Sequence, residues 1–88
     1  MGIYQNNENI NFNLFPNPAK NVINIHSSYN ETSTLQIVDL TGKEIKSTLL
    51  TSNDTQVPIT DLKNGVYFYT VFNDQKEALV MCKFIVAH

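Results

Sequence analysis

Several residue types are scarce or missing from this chain of 88 residues, and the shortages exclude whole classes of function. Arginine and tryptophan are absent, and the six lysines are scattered along the sequence. Nucleic acids and anionic lipids are bound by clustered basic side chains, so neither is expected as a partner. No apolar run approaches the ~18 residues of a membrane-spanning helix. A chain of this length forms one domain, without a cleft between lobes.

The shortage of cysteine, histidine and glycine argues against a catalytic or metal-binding site. The single cysteine, Cys82, cannot form an internal disulfide, and its apolar neighbours predict that it is a small buried residue. Together with His26 and His88 it matches no zinc-binding spacing. The three glycines are isolated from one another, so no phosphate-binding loop is expected. We therefore predict a protein without enzymatic activity, cofactor or small-molecule substrate.

The rest of the sequence consists of short apolar runs that alternate with turn residues about every 8–12 positions, a spacing typical of β-sandwiches and barrels. The runs are rich in Val, Ile, Thr, Tyr and Phe, which favour the pleated surface of a sheet. No segment carries a helical stripe. Seven strands are predicted, at residues 12–15, 22–26, 34–40, 44–50, 55–60, 66–72 and 78–87.

Turn chemistry predicts how some of these strands pair. Gly42 lies between two runs and can take a positive φ at little cost, and a polar turn at residues 73–76 separates two later runs. Residues 34–40 and 44–50 should therefore form one antiparallel hairpin, and residues 66–72 and 78–87 another. Pro58 cannot donate to a ladder, so the strand that contains it should lie at a sheet edge.

The alternation of side chains along the strands predicts the core. The inward-facing set is Ile23, Ile25, Leu35, Ile37, Leu40, Ile45, Val57, Ile59, Leu62, Tyr67, Tyr69, Val71 and Phe84. Residues 66–72 are apolar or aromatic on both faces, which favours a central strand. The aromatic residues at 67–72 leave a second hypothesis open, in which an Ig-like adhesion or carbohydrate-binding module uses this strand to contact its ligand.

Four sequence segments, in order, point to a known family. They are FPNPA at residues 15–19 followed by VINI at 22–25, IVDLTGKEI at 37–45, LKNGVYF at 62–68, and KFIV at 83–86. Together they cover nearly all of residues 12–88. In this order and spacing they resemble the C-terminal sorting domains of proteins that Bacteroidetes export through the type IX secretion system.

The resemblance implies both a fold and a role. The expected fold is an all-β, seven-stranded antiparallel Ig-like sandwich. The expected role is a non-catalytic handle that directs an upstream cargo domain across the outer membrane. The implied partners are the type IX outer-membrane machinery and its sortase-like protease. The implied location is the periplasm in transit to the outer membrane, the cell surface or the medium.

The resemblance also divides the chain and assigns its recognition residues. Residues 12–88 are the expected sorting domain, and the polar residues 1–11 are a linker in which cleavage is expected because proteases accept exposed, flexible backbone. The chain has no signal peptide of its own, so we expect it to be a piece of a longer exported protein. The expected recognition motif consists of Pro16, Asn17, Pro18, Asp39, Gly42, Lys43, Gly65, Tyr67, Lys83, Phe84, Ile85 and Val86.

Overall fold

The computed structural model describes residues 11–88, which form seven strands in two antiparallel sheets. The strands are β1 (Phe12–Phe15), β2 (Val22–Ser27), β3 (Ser33–Val38), β4 (Glu44–Leu50), β5 (Asp54–Pro58), β6 (Gly65–Phe72) and β7 (Ala78–Val86). One sheet has the order β1-β2-β5 and the other the order β4-β3-β6-β7. The predicted Ig-like sandwich is confirmed. Within residues 11–88, no helix is long and apolar enough to cross a membrane. The predicted linker at residues 1–11 falls almost wholly outside the described residues and stays a prediction.

Both predicted hairpins are present. β3 pairs with β4 and β6 pairs with β7, each antiparallel. The turn of the first hairpin places Gly42 at φ 88°, in the left-handed region where a side chain is disfavoured. β5 lies at the edge of the three-stranded sheet, as Pro58 predicted. Val57 and Ile59 point inward, while Gln56, Pro58 and Thr60 do not.

The core lies between the two sheets and is built by strand alternation. Its buried hydrophobic side chains are those of Ala19, Ile23, Ile25, Leu35, Ile37, Leu50, Val57, Ile59, Leu62, Tyr67, Tyr69, Val71, Leu79, Phe84 and Val86. The Phe84 ring lies 5.8 Å from that of Tyr67 and 6.2 Å from that of Tyr69, measured between centroids. The two tyrosine rings of β6 therefore pack at the centre of the sandwich, in agreement with the predicted central position of this strand.

Two predicted core positions are wrong or incomplete. Leu40 is 67% exposed, because β3 ends at Val38 and the chain turns away at Asp39 before Leu40 can face the core. Ile45 is only half-buried. The β3–β4 register shifts between Ile37 and Val38, which pair with Lys46 and Glu44, so Ile45 is the extra residue of a β-bulge.

Cys82 corrects a further prediction, since its thiol is exposed and not buried. It lies on β7, an edge strand with a sheet neighbour on one side only. Conversely, Ala19, Leu50, Leu79 and Val86 are buried although strand alternation did not assign them to the core. Ala19 and Val86 are also joined to each other by an isolated parallel bridge between the segment after β1 and the end of β7.

Candidate functional site

Two of the four motifs, far apart in sequence, meet along the open edge of β7. The N–H of Ala19 donates to the carbonyl of Ile85 at 2.8 Å, and the N–H of Ala87 donates to the carbonyl of Ala19 at 2.8 Å. These two bonds form a parallel bridge between Ala19 and Val86. The side-chain oxygen of Asn17 accepts a further bond from the N–H of Ile85 at 3.0 Å. We call residues 16–19 together with residues 83–87 the clasp.

The sequence explains why the first half of the clasp bonds as it does. Pro16 and Pro18 have no N–H to donate, so neither can extend a ladder along β7. The peptide bonds that precede both prolines are cis. Asn17 therefore contributes its side chain, and Ala19, the first residue after the prolines, contributes its backbone. The small Ala19 side chain is completely buried against the core.

The second half of the clasp divides between core and surface. Phe84 and Val86 are buried, whereas Lys83 and Ile85 point outward, because successive residues of a strand face opposite sides. Within the predicted motif at residues 83–86, Phe84 and Val86 therefore stabilise the fold through their buried side chains. Lys83 and Ile85 present side chains to solvent beside the exposed Pro16, Asn17 and Pro18.

The predicted residues Gly65 and Tyr67 join the clasp from the other side of β7. Gly65 pairs with Val86 and Tyr67 pairs with Phe84 in the β6–β7 ladder. The Tyr67 hydroxyl donates to the carbonyl of Lys63 at 2.7 Å, which fixes the loop that leads into β6. Tyr67 is buried, so its part in the site is to support the surface.

The last predicted group, Asp39, Gly42 and Lys43, forms the β3–β4 turn. The Asp39 carboxylate accepts bonds from the Thr41 hydroxyl at 2.6 Å, the Thr41 N–H at 2.8 Å and the Lys43 N–H at 3.1 Å. The hydrogen bonds from Thr41 hold the pKa of Asp39 below its usual value, and the N–H and the positive charge of Lys43 lower it further. These residues order the turn.

The turn lies at the same end of the four-stranded sheet as the clasp. Val38, just before the turn, pairs with Phe68, and Phe68 in turn pairs with Lys83. Parts of all four sequence motifs therefore lie at one end of this sheet, although the turn and the clasp are separated by the width of a strand and residues 22–25 of the first motif lie in β2 of the other sheet. Sequence reasoning named these motifs but did not predict the pairing of Ala19 with Val86. Only the smallness of Ala19, in a segment otherwise free of large apolar residues, hinted at its burial.

The aromatic residues of β6 are divided between the two faces of the sheet. Tyr67 and Tyr69 are buried in the core, and burial, with a hydrogen bond to the Cys82 thiol, raises the pKa of Tyr69. Phe68 and Phe72 face outward. Phe72 borders an open groove of about 370 Å³ that is also lined by Thr34, Gln36, Glu44, Ser47, Asn73, Asp74 and Lys76.

The side chains of Gln36 and Glu44 in that groove are held by a hydrogen bond, which the Gln36 amide donates to the Glu44 carboxylate at 2.8 Å.

On the three-stranded sheet, His26 and Asp54 form an exposed pair at 2.6 Å. In the part of the chain that the structure describes, no group of three or more His, Cys, Asp or Glu side chains is placed to hold a metal ion.

Comparisons with known proteins relate the whole described domain to a family. The family model described as "Secretion system C-terminal sorting domain" matches residues 13–87. No curated protein matches the chain. Among solved structures, the chain is similar to one of PorZ, described as an essential bacterial surface component of the type-IX secretion system of Porphyromonas gingivalis. The two share 21% identity with a TM-score of 0.65, over 88% of this chain and 11% of that one. At that identity the likeness shows a shared fold, and this chain spans only about a tenth of that protein.

Proposed function

Because the chain belongs to the family of secretion system C-terminal sorting domains, we propose that residues 12–88 direct an attached cargo protein across the outer membrane through the type IX secretion system. The domain acts by being recognised and performs no catalysis of its own. The observation that carries this proposal is the clasp, which unites two motifs separated by more than sixty residues in one surface.

In this proposal, the recognised surface is the exposed part of the clasp. Pro16, Asn17, Pro18, Lys83 and Ile85 are all exposed, and a hydrogen bond joins the Asn17 side chain to the N–H of Ile85. Phe84, Val86 and Tyr67 hold that surface in place from beneath. The turn of Asp39, Gly42 and Lys43 extends it at the same end of the sheet.

The later steps complete the proposal. The cargo passes through the periplasm with the domain attached, and a sortase-like protease of the export machinery removes the domain by cleavage within residues 1–11. The cargo then remains at the cell surface or is released. The polar, asparagine-rich composition of residues 1–11 favours a linker, and linkers are where proteases cut most readily.

The test fuses the full chain to a reporter with an N-terminal export signal, in cells with a working type IX system. Ile85→Ser removes an apolar side chain from the clasp. Leu49→Ser is the control, because Leu49 is also an exposed apolar side chain (60%, against 39% for Ile85) and lies on β4 at the opposite edge of the same sheet. A recognition contact worth about 1.4 kcal/mol changes binding tenfold. We expect a fall in export of about that size for Ile85→Ser and none for Leu49→Ser. A wild-type fusion that stays in the periplasm would refute the proposal.

A second candidate function, carbohydrate binding, is favoured by the groove beside Phe72. The hypothesis that Tyr67 and Tyr69 stack on a sugar does not fit their burial, but Phe72 faces a groove with hydrogen-bonding side chains on either side. Its volume lies at the lower end of ligand pockets. Titration of the labelled chain with a panel of neutral oligosaccharides, monitored by NMR, tests this function, with Gln36→Ala as the variant. If no chemical shift of the chain changes at about 10 mM sugar, a concentration at which even weak binding is detected, the carbohydrate-binding function is refuted.

A further inference from the structure

The open side of β7 is only partly covered. β7 is the edge strand of the four-stranded sheet. On its open side, the N–H and carbonyl of Ile85 are both bonded, to Asn17 and to Ala19. Backbone groups of alternate residues point the same way in a strand, and the β6–β7 register is regular from Val80 to Val86. The N–H and carbonyl groups of Met81 and Lys83 therefore point to the open side as well.

Nothing in the described part of the chain pairs with those groups. The clasp reaches Ile85 and stops, since the prolines that precede Ala19 have no N–H with which to continue the ladder. The backbone N–H and carbonyl groups of Met81 and Lys83 are therefore unpaired within the described residues, and they lie next to Ile85, whose N–H and carbonyl are already bonded to the clasp. The open stretch is thus bounded on one side by the clasp.

The other sheet edges are protected in the ways that natural sheets use. β1 has only four residues and is followed by Pro16, and β5 ends at Pro58. β4 carries a bulge, and its Lys46 ammonium is tied to the Pro58 carbonyl at 3.0 Å and to Asp61 at 3.2 Å. β7 is nine residues long and has no proline, and its bulge lies before Val80. Among the described strands, its edge is the one left available for pairing.

The side chains beside the open stretch indicate what would pair there. Met81 is 59% exposed and Ile85 is 39% exposed, on the outer face of the sheet with Lys83 between them. A strand laid against this edge would cover Met81 with an apolar side chain and would gain from an acidic side chain near Lys83.

We propose that an extended segment of the export machinery binds β7 as an additional strand, pairing its backbone with Met81 and Lys83. This inference rests on the proposed function, and it identifies the partner as an acidic, partly apolar strand. The clasp fixes the register of the added strand. Residues 17–19 already occupy the edge of β7 at Ile85, so the added strand must end before that position. Main-chain bonds then supply affinity, and the Met81 and Lys83 side chains supply selectivity.

The first measurement uses the unaltered chain. In amide hydrogen exchange followed by NMR, the N–H groups of Met81 and Lys83 should exchange like those of loops. Those of Cys82 and Phe84, which face β6, should exchange at least about a hundredfold more slowly, as expected for ladder amides. Slow exchange at Met81 and Lys83 in the free chain would show a covered edge and overturn the inference.

The second measurement uses paired variants in the reporter fusion. Lys83→Pro and Met81→Pro remove an N–H that takes no part in the β6–β7 ladder, so an edge strand can accept them. Lys83→Ala and Met81→Ala change the same side chains but keep the N–H. We expect folded proline variants whose export falls at least about tenfold below that of the alanine variants at the same positions, because only the proline variants lack the N–H. Circular dichroism and thermal melting establish which variants are folded.

The outcomes separate this inference from the proposed function. If the wild-type fusion is not exported, the proposed function fails. If the wild type and the folded proline variants are exported equally, the proposed function stands and the strand pairing is refuted. A wild-type chain that sediments as a dimer, with proline variants that sediment as monomers, would assign the edge to a second copy of the chain and also refute the inference. If the proline variants unfold, the exchange measurement decides.

Discussion

Replacement of Phe84 by alanine should be among the most damaging changes in this domain, although Phe84 lies in a surface motif. Its side chain is completely buried and lies near the rings of Tyr67 and Tyr69. Truncation of a buried phenylalanine costs about 3–5 kcal/mol, because it removes apolar burial and leaves a cavity. For a domain that spans residues 12–88, the free energy of unfolding is about 4–12 kcal/mol. The variant should therefore lose much of its stability, and its melting temperature should fall by at least about 12 °C.

Urea unfolding of the wild type and Phe84→Ala, followed by far-ultraviolet circular dichroism, measures this loss. Ile85→Ala is the matched control, since Ile85 is the next residue and is partly exposed on the other face. It should cost less than about 1 kcal/mol. The reasoning would be refuted if Phe84→Ala cost less than about 2 kcal/mol, or if the two variants were equally destabilised. The result also decides how a loss of export in Phe84→Ala is interpreted, because an unfolded domain cannot report on recognition.

Three further predictions concern the turn and the exposed thiol. Gly42→Ala should destabilise the chain by about 1–2 kcal/mol in urea unfolding, because an alanine at φ 88° is strained even though nothing lies within 4 Å of its Cβ. The pKa of Asp39 is lowered in the folded state, so its stabilisation is present above the unfolded value near 4 and is lost as the pH falls below it. Acid titrations should find Asp39→Asn less acid-sensitive than the wild type, and equal sensitivity would contradict the turn geometry. Cys82 should react with iodoacetamide in the native chain, and protection until unfolding would show that β7 is covered.

Local patterns in the sequence were sufficient to predict the strands and the hairpins. The β3–β4 and β6–β7 pairings follow from turn residues a few positions away, and the core of β2, β3 and β6 follows from alternation. Leu40 escaped this reasoning because two local signals compete there. Its apolar side chain favours a strand, but the Asp39 carboxylate bonds to Thr41 and ends the strand first.

Features that depend on distant pairing were not predictable from local pattern. Cys82 has apolar neighbours in sequence, but its exposure is set by the position of β7 at a sheet edge. The clasp joins residues more than sixty positions apart, and no periodicity in either segment encodes that contact. The motifs indicated which residues belong to the candidate site, and the structure separates those that support it, such as Phe84, from those that face outward, such as Lys83.

The clasp also determines how the domain would respond to tension. Residues 17–19 run parallel to the end of β7, so tension that pulls these two segments past each other loads the three clasp hydrogen bonds together and along the strands. Bonds loaded in this shear direction must break at the same time, whereas bonds pulled apart from one end break in succession. Under force, survival depends on the rate of unfolding and not on its equilibrium. A force between these two segments is therefore resisted by three hydrogen bonds that must break together.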